Sequence, residues 1–443
     1  MTEPDWVRHA VWWQIYPLGF TGAVPAPGPA AAANEAVPAP GPAAAPGGPG
    51  GLRRLIPWLD YAQELGTNGI ALGPIFASET HGYDTVDYFR VDERLGSQDD
   101  FAALVSEAKG RGLRVLLDGV FNHVGRSFPA FERALAGGPE RAWFHFDGDK
   151  YADFEGHSAL VKLNHAEPAV ADHVTRVMTH WLERGADGWR LDAAYAVPRE
   201  FWATVLPRVR KEFPDAWFAG EVIHGDYKAI VAESTLDTLT QYELWKAIWS
   251  SLNDGNFFEL AWALDRHNGY LGDFVPLTFT GNHDVTRLAT RLSDERHLAH
   301  ALAVLCTVGG TPSVYYGDEQ AFRGLKEDRA GGDDAVRPAF PAAPGDLAPY
   351  GWPAYRLHQD LIGLRRRHPW LHTARVRPIE LRNEHLVYET TGDGERLVVA
   401  LNVAAGPAKV VVPGVRRVLA GTGTLAGTAI TLPPHGWAII GDK

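Results

Sequence analysis

The chain has 443 residues, 45% of them hydrophobic, a length too great for one ordinary domain and suited to a barrel-sized core with a smaller appendage. Its formal charge of −12 argues against nucleic acid or an anionic membrane as partner, since both select basic surfaces. No apolar run reads as a membrane span, no basic-then-apolar leader opens the chain, and the one cysteine, Cys306, rules out an internal disulfide, so the expected compartment is the cytoplasm.

Val11-Trp12-Trp13-Gln14-Ile15-Tyr16 is apolar and aromatic and reads as a first strand. An exact repeat follows, with Ala23 to Ala32 and Ala36 to Ala45 both reading AVPAPGPAAA. Its prolines cannot hold a helix and its small residues cannot pack a core, so an extended loop is expected over 22–51. Leu52, Leu55, Ile56 and Leu59 then form a helical stripe, and Gly69-Ile70-Ala71-Leu72-Gly73-Pro74 a second strand. Ser97 with Asp100 makes a capping box ahead of Phe101, Leu104, Val105 and Ala108, and 113–118 reads as strand three.

Residues 124–164 have no clean periodicity and many aromatics, and are taken as an excursion before the helix bearing Val170, Val174, Val177, Met178 and Trp181. Strands four to eight are placed at 187–192, 216–221, 236–241, 276–282 and 312–316. Cys306, in an apolar helical run, reads as buried filler. After about residue 370 the texture changes to short β runs such as Leu397-Val398-Val399-Ala400-Leu401, separated by Gly and Pro. The expected fold is an α/β (β/α)8 TIM barrel over 1–123 and 165–369, with a short excursion at 124–164 and a C-terminal antiparallel β-sandwich over 370–443.

Four segments carry chemistry: Asp118-Gly119-Val120-Phe121-Asn122-His123, Gly188-Trp189-Arg190-Leu191-Asp192, Gly220-Glu221-Val222 and Gly281-Asn282-His283-Asp284. Each is a short apolar run ending in carboxylate, histidine or arginine. Alone, any of them is explained as a cap or turn. Together, at helix-sized intervals, they describe parallel strands delivering polar groups to one mouth. Two carboxylates in different environments suffice to cleave a glycosidic bond, one as acid and one as nucleophile. Arg190, two residues before Asp192, shares its side of the strand and is expected to keep it ionised. Glu221 has no cationic neighbour in sequence and follows Phe218-Ala219-Gly220, a drier setting expected to raise its pKa. His123 and His283 are candidates to bond sugar hydroxyls, and the 15 Trp, 14 Tyr and 19 Phe suit a cleft that stacks sugar rings.

These residues resemble the α-amylase family, glycoside hydrolase family 13, over nearly the whole chain. The resemblance implies Asp192 as nucleophile, Glu221 as general acid/base and Asp284 as the third acid. It implies Arg190 as the residue orienting the nucleophile, supported by Asp118, and His123 and His283 as ligands of the sugar in subsite −1. His81-Gly82-Tyr83-Asp84-Thr85 is similar to the stretch whose tyrosine stacks on that sugar, and 310–319 to the strand-eight signature. Asp84 and Arg287 are candidates to pair and narrow the non-reducing side. Val161-Lys162-Leu163-Asn164 and His224 are similar to the neopullulanase, cyclodextrinase and maltogenic amylase group, although Ile223 stands where that group commonly has tryptophan.

The implied activity is retaining hydrolysis of α-1,4 and in some cases α-1,6 bonds in maltooligosaccharides, cyclodextrins, pullulan or starch, with no cofactor required. The alternative is a transglucosidase or trehalose-synthase-like isomerase using the same glycosyl-enzyme. A catalytically dead sugar-binding protein on this fold is disfavoured, because all three acids are present. A structural Ca²⁺ is a candidate at Asn122, with Asp147, Asp149 and Asp153 as further ligands. The chain begins almost at strand one, without the long N-terminal module through which that group dimerises, so a monomer is expected.

Overall fold

Every short apolar run ahead of a polar terminus becomes a barrel strand in the computed structural model, which describes residues 3–23, 50–329 and 331–442. The strands are β1 (Trp12–Ile15), β2 (Gly69–Leu72), β3 (Arg114–Gly119), β4 (Gly188–Leu191), β5 (Trp217–Gly220), β6 (Thr238–Leu239), β7 (Leu277–Phe279) and β8 (Thr311–Tyr315). All pair in parallel, in the order β6-β5-β4-β3-β2-β1-β8-β7. A bridge from Thr240 to Leu277 closes the ring, and the Gln241 amide donates to the Leu277 carbonyl at 2.9 Å. This is the (β/α)8 barrel read from the sequence, each strand within two or three residues of its expected place. The repeated Ala/Pro segment lies outside the described residues.

The barrel floor is aromatic. Trp12 stacks on Trp217 with centroids 5.6 Å apart and planes 15° from parallel, and Trp6 meets both edge-on. The close packing of these strands explains two glycines. A Cβ at Gly69 lies 2.4 Å from the Trp12 ring, and one at Gly188 lies 2.2 Å from the Trp217 carbonyl. The strand carrying Arg190 therefore starts on a residue that must lack a side chain.

The surrounding helices follow from their caps and stripes. Ser97 and Asp100 exchange side-chain and backbone hydrogen bonds in the expected capping box, and the helix Gln98–Gly110 buries Phe101, Leu104, Val105 and Ala108. The helix Pro168–Glu183 buries Val170, Val174, Val177, Met178 and Trp181. Leu52 to Leu59 differs from the plain α-helix expected: Gly51–Trp58 is a 3-10 segment containing Pro57, and the α-helix begins at Leu59. Cys306 is buried in the helix Leu298–Thr307, and burial pushes its thiol up to about 12, consistent with packing and not nucleophilic chemistry.

Between β3 and the helix Pro168–Glu183 the chain makes a small three-stranded sheet from His123–Gly125, Asp153–Phe154 and His157–Lys162. Beyond the barrel, strands Arg375–Leu381, His385–Gly392, Glu395–Asn402, Arg417–Gly421 and Trp437–Gly441 form an antiparallel sheet, faced by a second sheet of three strands. The Leu397 to Leu401 run is apolar on both faces for a physical reason. Leu397, Val399 and Leu401 join the barrel's core, whereas Val398 and Ala400 join the core between the two sheets.

Candidate active site

Register brings the acids together. In the β3–β4 pairing Arg190 stands beside Asp118, and in the β4–β5 pairing Leu191 stands beside Gly220. Asp192 and Glu221, each one residue further, therefore leave adjacent strands side by side at the C-terminal mouth. Arg190 and Asp192 share one face because a strand repeats every two residues. Behind Asp192 the chain turns sharply, with Ala193 in the left-handed region at φ +44°. Strain of this kind is tolerated where surrounding contacts over-determine it. Here the Ala193 amide donates to Glu221 Oε2 at 3.0 Å.

Arg190 is the hub. Its guanidinium lies 2.6 Å from Asp118 Oδ2, 2.6 Å from Glu221 Oε1 and 3.2 Å from Asp192 Oδ1. This differs from the expectation that Arg190 holds Asp192 ionised: its nearer carboxylates are Asp118 and Glu221, and Glu221, without a cationic neighbour in sequence, gains one across the sheet. A guanidinium two residues away on the same strand is held parallel to Asp192, whereas a neighbouring strand presents its carboxylate to the fork. Burial, reinforced by the Glu221 charge, pushes the Asp192 carboxyl well above the usual carboxylate range. Asp118 is pushed up too, by burial against the pull of Arg190. Glu221 is gripped further: the Tyr242 hydroxyl donates to Oε1 at 3.1 Å and is itself fixed by Asn282 at 2.8 Å. Asp192 has the long Arg190 contact alone, leaving its second oxygen without a protein partner among the described residues.

Asp284 occupies the opposite side. His283 Nε2 lies 2.9 Å from Asp284 Oδ2, and Arg337 donates to Oδ1 at 2.8 Å and to the His283 carbonyl at 3.0 Å. Burial pushes this carboxyl up, but His283 and Arg337 outweigh it and hold Asp284 well below the usual range. Gln14 lies 3.3 Å from His283 Nδ1, so that nitrogen accepts and Nε2 carries the proton shared with Asp284. Tyr83 lies parallel to His283, ring planes 2° apart and centroids at 5.4 Å. Its hydroxyl contacts His283 Nε2 and donates to Asp118 Oδ2 at 3.2 Å.

His123 is placed differently from expectation. Its Nε2 meets the Tyr83 carbonyl at 3.0 Å and its Nδ1 meets Asn122 at 3.1 Å, so both nitrogens are taken by protein. Burial lowers its pKa to about 4, which keeps the ring neutral; its task here is to position Tyr83. Arg287 and Asp84 do not pair. Arg287 is fully buried and donates to Asp318 at 2.8 Å and to the Tyr316 and Val336 carbonyls at 2.9 Å, clamping the end of β8. Asp84, also buried, bonds Thr80 and lies 3.9 Å from His81. The Tyr316 and Val336 carbonyls and Asp318 take both terminal nitrogens of Arg287, and none of these acceptors belongs to β2.

Sequence reasoning missed Arg337, which stacks on Tyr16 at 4.8 Å as well as holding Asp284. It lies well past β8 in a loop without a motif. Tyr242 and Tyr16 were legible in principle, since each follows the C-terminal end of a barrel strand.

Two grooves flank the mouth. One of about 620 Å³ is lined by Lys162, Asn164, His165, Tyr195 and Arg199. The other, about 310 Å³, is lined by Ile223, Tyr242, Trp245 and Trp262; Trp262 is 58% exposed and supplies an aromatic face near the position where Ile223 offers none. The candidate calcium site fits poorly. Asn122 Oδ1 is buried and accepts no hydrogen bond, as a ligand oxygen would, but Asp147, Asp149 and Asp153 do not converge as a group. A hard cation needs six or more oxygens.

A family model described as the α-amylase catalytic domain matches residues 14–154 and 140–374. A cyclomaltodextrinase from Geobacillus thermopakistaniensis is 31% identical over 98% of this chain and 77% of its own length. An intracellular maltogenic amylase from Bacillus subtilis is 32% identical over 72% of this chain, and the match spans 57% of that enzyme. Among solved structures, the cyclic α-maltosyl-(1→6)-maltose hydrolase of Arthrobacter globiformis superposes with a TM-score of 0.83 at 27% identity, covering 99% of this chain and 100% of that one. Among the described residues no helix is long and apolar enough to cross a membrane.

Proposed function

The chain belongs to the α-amylase family of glycoside hydrolases, and we propose that it hydrolyses α-1,4 and α-1,6 glucosidic bonds in short or cyclic α-glucans with retention of configuration. The observation that carries this reading is Arg190 bridging Asp118, Asp192 and Glu221 at the barrel mouth, with Asp284 held opposite. Asp192, with one oxygen free, is the nucleophile; Glu221, aimed by Ala193, Tyr242 and Arg190, is the acid/base.

Charge balance supports a proton for the leaving group. Asp118, Asp192, Glu221 and Asp284 face two guanidiniums, Arg190 and Arg337, in a buried setting, so the cluster retains a proton near neutral pH. Arg190 lies nearer Glu221 than Asp192. Substrate must reverse this: the proton of the cluster passes from Asp192 to Glu221, which turns to the glycosidic oxygen, and Arg190 is left to Asp118 and the ionised Asp192. The carboxylate of Asp192 then attacks the anomeric carbon while Glu221 protonates the departing oxygen. Water, deprotonated by Glu221, next releases the sugar from Asp192. Asp284, set in place by His283 and Arg337, takes sugar hydroxyls, and Tyr83 offers its ring face.

The relatives above are named for hydrolytic action on cyclic or linear α-glucans, which favours water over a sugar as acceptor. The proposed compartment is the cytoplasm, a reading supported by one relative's being named intracellular. Incubation with maltotriose, β-cyclodextrin, pullulan and maltose tests the reading. Expected are maltose, glucose or panose from the larger substrates, with the α-anomer formed first. Inert polymers with longer products from maltose make the enzyme a transglucosidase, and a β-anomer overturns retention.

A further inference from the structure

Away from the barrel mouth, two imidazoles and a carboxylate meet across the seam between the barrel and the C-terminal β domain. Asp294 and His297 bracket the short 3-10 turn Glu295–His297. Such a turn has three residues, so positions three apart eclipse and both side chains leave one face. His435 comes from the other side, in the turn between strands Ala429–Leu432 and Trp437–Gly441, with φ +53°, a left-handed conformation that histidine seldom adopts.

His297 Nε2 and His435 Nδ1 are 3.0 Å apart, and His435 Nδ1 lies 3.9 Å from Asp294 Oδ2. One ligand atom from each of the three falls within 4.8 Å of the others, the one such group among the described residues. His300, on the next turn of the helix, contacts the Asn402 and Gly436 carbonyls through Nε2 at 3.1 and 3.2 Å, which pins the His435 turn against the barrel. His297 is 5% exposed, and the side chains of His435 and Asp294 are 15% and 24% exposed, so the group is rooted in the seam yet open to solvent on one side.

We propose that Asp294, His297 and His435 form a binding site for a borderline divalent transition ion, above all zinc, which ties the C-terminal β domain to the barrel. Two neutral imidazoles and one carboxylate suit zinc, with a water in the fourth position; calcium and magnesium prefer all-oxygen sets. The proton shared between the two facing imidazole nitrogens leaves as the ion enters. Arg296 now neutralises Asp294; its side chain is 59% exposed and turns to solvent when the cation takes its place.

The full chain, stripped of metal and titrated with zinc chloride in a calorimeter, tests this, together with the melting temperature with and without chelator. Saturable binding of a single zinc ion with a raised melting temperature is expected. His435→Asn keeps a residue that tolerates the left-handed turn but is too short to reach. It is expected to lose both effects while hydrolysing maltotriose at the unchanged rate. Asp294→Asn, a change at a partly exposed carboxylate that leaves the turn intact, is expected to weaken zinc at least about tenfold. No saturable binding by the unaltered chain, or the same affinity in both variants, overturns the proposal.

Discussion

Arg190 on β4 lies 2.6 Å from Glu221 at the end of β5, nearer than the 3.2 Å that separates it from Asp192 at the end of its own strand. The guanidinium that nominally serves the nucleophile thus grips the acid/base. Catalysis then includes an exchange of partners, and the site's titration belongs to the cluster and not to any one carboxyl.

Glu221→Gln removes the proton donor and the Arg190 ion pair while keeping the shape. Hydrolysis of maltotriose is expected to fall about 10²- to 10⁴-fold, with near-native melting. An activated substrate whose leaving group needs no proton should lose much less in its first step. Equal losses on both substrates would falsify the acid/base assignment and leave Glu221 as a structural partner of Arg190.

Arg337 and Arg287 separate cleanly. Arg337→Ala frees Asp284 and the His283 carbonyl, so kcat/KM should drop about 10- to 100-fold, the scale of a charge-assisted contact, with modest loss of stability. Arg287→Ala strands buried Asp318 and should cost about 3–5 kcal/mol of stability, with KM of the surviving folded enzyme unchanged. Thermal melting and Michaelis kinetics on both variants decide it; the reverse pattern returns Arg287 to the substrate site.

Tyr83→Phe retains the ring parallel to His283 and deletes the hydroxyl shared by His283 and Asp118. A loss of about tenfold in kcat/KM is expected from one hydrogen-bonding group, and Tyr83→Ala should lose more because the stacking face goes too. Steady-state kinetics with maltotriose read both; equal losses would mean that the ring face contributes nothing.

Acid should destabilise the fold. Burial lowers His123, His165, His173, His267, His300 and His358 from the usual 6.5 to about 4. Between those values the unfolded chain binds protons that the folded chain refuses, so their contribution is full above pH 6.5 and is lost as pH falls through 4. Buried Glu319, raised to about 7, and Asp318, raised to about 6, act oppositely: their neutral forms are favoured in the fold, a contribution lost as pH rises through those values. In all, nine histidines are lowered and six carboxyls raised, so the melting temperature at pH 5 should lie below that at pH 7. An equal or higher value contradicts the balance.

Much of the architecture is local and was therefore readable. Gly188 to Asp192 declares a buried strand with a charged end, Ser97 and Asp100 declare a helix start, and the alternation of such signals declares a parallel barrel. The acids at the strand ends follow from the same reading, because a strand's direction decides which mouth its last residue reaches. The short sixth strand of two residues at Thr238–Leu239 was readable only as a run, since its pairing partners set its length.

What the amino-acid order determined alone is thus the fold, the order of the strands and the identity of Asp192, Glu221 and Asp284 as the residues at the mouth. The tertiary structure alone decided the partners: Arg190 to Asp118 and Glu221, Arg337 to Asp284 across 53 residues, Arg287 to Asp318, and His123 to the Tyr83 carbonyl. The physical reason is that secondary structure follows short-range backbone sterics and side-chain periodicity, whereas an ion pair depends on distance through space and on burial. Neither quantity exists until the loops have closed over the barrel.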